Sequence, residues 1–186
     1  MLAYQEQSAP RHTLDDVYRL LIESGKFSAP IDVDFVAKSL GVLVECDFSL
    51  EQDDVIGQIE FSGKTPLVKI NPVQNMYRPR YRFTLAHELG HYCLHTDKAS
   101  FKDNKKSMSR TSSYWDVYES EANDFAASLL MPSELVIQIA SNVIDEYLNA
   151  YSANFISVGE LVKRMAARFE VSNKAMEYRL KNLGFF

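Results

Sequence analysis

Cysteine is scarce in this chain. Its 186 residues include only Cys46 and Cys93, far apart in sequence, so no disulfide framework is expected and a reducing, cytoplasmic setting is the simplest reading. Long apolar runs are missing too. None approaches the roughly 20 residues that a membrane-spanning helix needs. The first residues, MLAYQEQSAPRH, lack the basic and then apolar regions of a secretory signal. There is no internal repeat and no low-complexity tract, which excludes solenoid and fibrous classes. Excess positive charge is also absent: the net charge is −5, so direct nucleic-acid binding is not expected of the molecule as a whole. What remains is 46% hydrophobic and 24% charged, an ordinary globular composition with length for one domain and a small appendage.

Two short helices are expected first. Thr13 with Asp16 forms a capping pair ahead of an apolar stripe (Leu14, Val17, Tyr18, Leu21) that ends near Gly25. A second helix starts at Asp32 and stops at Gly41. The period then changes. Residues 42–48, 54–61 and 66–71 are short, rich in Val and Ile and separated by turn residues, which predicts a small three-stranded antiparallel sheet. Pro66 and Pro72 bracket the last strand and suit a sheet edge. Helical patterning resumes over 81–95, a polar, basic stretch at 101–113 reads as a mobile loop, and helices follow at about 114–131, 133–149, 157–169 and 173–183. The fold class is α+β: helices, a small sheet, then helices.

The helix at 81–95 carries the chemistry. His87-Glu88-Leu89-Gly90-His91 reads HExxH, and residues four apart lie one turn above each other on one helix face. Two imidazoles so placed can hold one Zn²⁺ at about 2.0–2.1 Å. Glu88 beside them can act as general base on a water that the metal acidifies. Three of the four histidines fall within nine residues of an otherwise apolar segment, so a pair of merely solvated histidines is the poorer reading. His95, a further turn along, is expected at the edge of the site or in packing.

A catalytic zinc site takes three protein ligands, and no histidine follows at the spacing HExxHxxGxxH. The helix at 114–131 is the better source. Glu119 and Asn123 share a face there, and Ala126 and Ala127 would let the two helices approach. Glu119 is preferred as third ligand, with Glu121 the alternative, because Glu121 shares its face with Phe125. Tyr92, Tyr114, Tyr118 and His95 are all candidates for stabilising an oxyanion. A strand such as IGQIEF or LVKIN could accept an extended peptide along its edge.

RFTLAHELGHYCLH (82–95), followed by ESEANDFAASLLMP (119–132), resembles the ImmA/IrrE family of metallo-endopeptidases, and the likeness extends over about residues 30–184. The chain is expected to divide into a zincin-like metallopeptidase domain at 1–155 and a C-terminal helical segment at 156–186, packed on or appended to it. The resemblance implies a gluzincin-like centre with Zn²⁺ on His87, His91 and Glu119, Glu88 as catalytic base and Asn123 in support. It also implies a protein substrate, a helix-turn-helix repressor. Two other readings stand beside it. One is a non-catalytic metal-binding module that sequesters a repressor. The other is a DNA-binding regulator using the helix-turn-helix-like run at 160–183, with Lys163, Arg164, Arg168, Lys174, Arg179 and Lys181; the local charge excess there is small, and a plain helical pair is preferred.

Overall fold

The computed structural model describes residues 11–61, 65–95, 100–104 (strand pairing only) and 117–186. Helix α1 spans Leu14–Glu23 and is capped as expected: the Thr13 side chain accepts from the Asp16 N–H while the Asp16 carboxylate accepts from the Thr13 N–H. Helix α2, Val33–Ser39, starts from the Asp32 side chain, which accepts from the Phe35 N–H. The strands are β1 (Leu43–Cys46), β2 (Val55–Glu60), β3 (Leu67–Ile70) and β4 (Ser100–Asn104). Then come helices α3 (Arg78–Leu94), before β4 in the chain, and α4 (Val117–Leu130), α5 (Ser133–Tyr151), α6 (Val158–Phe169) and α7 (Asn173–Asn182) after it.

The architecture is α+β, but the sheet departs from the expected three antiparallel strands. It has four strands in the order β1-β3-β2-β4 and is mixed, with β1 parallel to β3 and β2 antiparallel to both β3 and β4. β3 is therefore interior, not an edge. Its flanking prolines fall outside the paired span Leu67–Ile70, where no ladder N–H is lost. β4 overlaps the start of the stretch read as a mobile loop. Pairing along an edge uses backbone groups, so a polar composition does not forbid it. The rest of that stretch, and its basic side chains, lie outside the described residues. β2 and β3 are both interior, so neither offers the free edge expected for an extended peptide.

Helix α3 is the centre of the molecule. Buried residues run around its whole circumference from Thr84 to His91, as in a helix enclosed by other elements and not one lying on a surface. α4 packs along one side, β2 and β3 along another and α2 beside them. Leu85 and Leu89 join a buried cluster that extends through Leu129, Leu130 and Val136 to Leu161, Met165, Phe169, Met176 and Leu180. Full burial of each such side chain stabilises the fold by about 1.5–3 kcal/mol. The two cysteines are unpaired, Cys46 exposed and Cys93 buried. No single described helix is long and apolar enough to cross a membrane.

Candidate metal centre

The i, i+4 spacing stacks His87 and His91 on one side of α3, with ring centroids 4.7 Å apart. Their Nε2 atoms face each other at 3.0 Å, and both rings are fully buried. α4 runs antiparallel to α3 and brings Glu119 to the same point. Its Oε1 lies 3.3 Å from His91 Nε2 and its Oε2 3.3 Å from His87 Nε2. One turn along α4, Asn123 Oδ1 sits 3.1 Å from His87 Nδ1, the nitrogen on the far side of that ring.

The donor set fits a divalent metal. Bonds of about 2.0–2.1 Å in a tetrahedral shell put donor atoms about 3.3 Å apart, close to the 3.0, 3.3 and 3.3 Å observed here. Glu119 Oε2 is buried without a well-directed hydrogen bond among the described residues, a costly state for a carboxylate oxygen unless a cation completes it. Burial pushes the His91 imidazolium pKa down to about 4, against the raising influence of Glu119, so the ring is neutral near pH 7 and has a lone pair to donate. Burial alone would raise the Glu119 carboxyl. The His87 and His91 nitrogens beside it outweigh that and hold it below the usual carboxylate range. Neutral imidazoles and an ionised carboxylate are the forms that bind metal.

Two glycines make the arrangement possible. A Cβ on Gly90, inside the HELGH run, would stand 3.0 Å from Ala122 Cα and 3.1 Å from its carbonyl oxygen. The two helices therefore approach closely at Gly90 and Ala122. Ala126 is buried in the core, whereas Ala127 is only half-buried. A Cβ on Gly57 of β2 would stand 2.7 Å from Glu88 Oε1 and 2.6 Å from Thr84 Cγ2. The buried Glu88 carboxylate thus lies directly against the strand.

Buried amides, missed in the sequence, hold that strand in place. Asn75 donates to the Ile56 carbonyl (2.9 Å) and accepts from the Thr84 hydroxyl (2.8 Å), and Asn71 donates to the Val55 carbonyl (2.8 Å). They secure β2 where its pairing with β4 shifts register, between Val55 and Gly57. The only available signal was the NPVQN run (71–75) following a strand.

The remaining candidates divide. His95 and Glu121 meet each other, with His95 Nε2 3.0 Å from Glu121 Oε2. The Tyr92 hydroxyl donates to the Leu40 carbonyl (3.3 Å), and Tyr118 sets its ring edge-on to His95. Tyr114 lies outside the described residues. In the C-terminal pair, Arg164 bonds Glu160, Arg168 bonds Glu146 and Arg179 donates to the Met131 carbonyl, so three of the six basic side chains are engaged within the protein.

A model of the Peptidase M78 family, described as an IrrE N-terminal-like domain, matches residues 37–181. That span takes in the whole sheet, both helices of the centre and the C-terminal pair. No curated protein matches the chain. With the family model covering most of its length and a His-His-Glu group able to hold a metal at its centre, the chain belongs to the ImmA/IrrE type of metallopeptidase, the Peptidase M78 family.

Proposed function

We propose that this protein is a zinc-dependent endopeptidase of the cytoplasm whose substrate is a helix-turn-helix repressor. The observation that carries the catalytic part is the convergence of His87, His91 and Glu119 on one point, with the Glu88 carboxylate on the same buried helix. In this reading the three residues hold Zn²⁺, and Asn123 orients His87 through its Nδ1. When bound, the metal supplies a Lewis acid that polarises the scissile carbonyl and acidifies water. Glu88 takes the proton from the attacking water and passes it to the leaving amine. Gly57 leaves room for that carboxylate, which is buried against β2. Residues 156–186 serve as a helical brace on the peptidase domain at 1–155. The repressor rests on the resemblance carried by 82–95 and 119–132.

The test combines metal content with cleavage. The purified chain should hold about one zinc, and Glu88→Gln should keep the metal while losing proteolysis of the repressor. Proteolysis that survives in Glu88→Gln sinks the mechanism. A repressor that stays intact in a stable complex with the zinc-loaded chain supports sequestration instead.

A further inference from the structure

We propose that His95 and Glu121 form a two-link relay that fixes the tautomer and aim of His91, so that its Nε2 lone pair faces the metal position. The proposal rests on the reading of His91 as a metal ligand and assigns roles to two residues outside the ligand set.

The chain of contacts is continuous. His91 Nε2 faces His87 and Glu119, while His91 Nδ1 lies 2.9 Å from His95 Nδ1. On its other side, His95 Nε2 lies 3.0 Å from Glu121 Oε2. Each imidazole is buried, His91 at 0% and His95 at 2% exposure, whereas the Glu121 side chain is 41% exposed. The relay runs from the site to a carboxylate at the surface.

Neutral imidazole has one N–H and one lone pair, so each link constrains the next. The Glu121 carboxylate oxygen 3.0 Å from His95 Nε2 is an acceptor, which favours the His95 form with its proton on Nε2. His95 Nδ1 then carries the lone pair and accepts from His91 Nδ1–H. That leaves the lone pair of His91 on Nε2, where a metal is bound. In the opposite arrangement His95 would turn a lone pair toward the Glu121 carboxylate, and His91 Nε2–H would point into the site. The carboxylate therefore selects the metal-ready tautomer from two imidazoles away. Tyr118, edge-on to His95 at 4.7 Å between centroids, limits rotation of the middle ring. His95 is one turn beyond His91 on α3, and Glu121, which does not share the face of Glu119 on α4, meets it from beside that face.

Outer partners of metal-bound histidines change metal affinity by about 10–100-fold. The experiment measures zinc affinity of the full chain by competition with a chromophoric chelator, alongside the melting temperature of each metal-free variant. Glu121→Leu and His95→Phe should bind zinc about 10–100-fold more weakly than wild type. Glu121→Gln keeps an acceptor for His95 Nε2–H and should recover a large part of the loss. Glu121 is partly exposed, so its variants should melt near wild type even if His95→Phe is destabilised. Wild-type affinity in both Glu121→Leu and His95→Phe overturns the relay. Equal loss in Glu121→Gln and Glu121→Leu, diminishing with added salt, would make Glu121 a distant charge and also overturn it. A wild-type chain that takes up no zinc refutes the underlying metal centre, and is distinguished from these outcomes by the wild-type titration alone.

Discussion

Gly57→Ala is a small perturbation with a large expected consequence. Gly57 does not occupy the left-handed region, so alanine can adopt its backbone, and replacing glycine inside a regular element ordinarily gains about 0.5–1 kcal/mol. Here the added methyl would lie 2.6 Å from Thr84 Cγ2, about 1 Å inside the 3.5–4.0 Å at which carbon atoms pack. It would also lie 2.7 Å from Glu88 Oε1. Thr84 cannot withdraw freely, because its hydroxyl bonds Asn75, which in turn holds the Ile56 carbonyl. Overpacking of this kind costs about 1–3 kcal/mol. Set against the gain, the net loss is about 0–2.5 kcal/mol, and each kcal/mol lowers Tm by about 2–4 °C in a chain of this size. The Glu88 carboxylate must move as well, and displacing a reacting group by about 1 Å can cost about 100-fold in rate. Zinc affinity should hold, since the closest contacts of the methyl are with Thr84 and Glu88 and not with the three ligands. Thermal melting, chelator competition and repressor cleavage are measured for Gly57→Ala and for Gly57→Ala with Thr84→Ser. The serine removes Cγ2 but keeps the hydroxyl, so the double variant should regain stability without regaining cleavage. A single variant that melts and cleaves like wild type would refute the reasoning.

Gly90→Ala should be close to neutral in Tm, because a helix-propensity gain of about 0.8–1.0 kcal/mol meets the contact with Ala122 at 3.0 Å, but it should weaken zinc binding by moving Glu119 on α4; a raised Tm with unchanged affinity would show that this contact does not set the position of Glu119. Arg11→Ala removes a cation stacked 4.7 Å from the Phe61 centroid and 5.1 Å from the Tyr92 centroid, together with its bond to the Tyr92 carbonyl. A loss of about 0.5–1 kcal/mol is expected at this exposed site, read as a Tm lower by about 1–4 °C. Under native conditions a thiol reagent should label the exposed Cys46 at once. Cys93, buried with its thiol pKa pushed up to about 12 by desolvation, should react only as the protein unfolds, so prompt labelling of both thiols would contradict its burial.

The local features were legible because short-range rules govern them. The Thr13–Asp16 capping pair, the stop at Gly41 and the helix starts at Ser157 and Ser172 each depend on a few neighbouring residues. The sheet was harder. Its strands were readable, but strand order follows from which faces must be covered, and β2, buried along most of its length, needs neighbours on both sides. A polar segment then supplied β4 by pairing with β2, for which composition gives little warning.

For the centre itself, sequence determined what helix periodicity can determine. His87 and His91 share a face because they are four apart, Glu88 is beside them, and Glu119 shares a face with Asn123 for the same reason. Tertiary structure decided everything that depends on how one element sits against another. The close approach at Gly90 and Ala122 sets how near Glu119 comes to the two imidazoles. The contact at Gly57 sets Glu88 against β2, and the turn of α4 sends Glu121 to His95. Helical spacing assigns a side chain to a face of its own helix; only packing, enforced by atoms that cannot overlap, decides what that face meets.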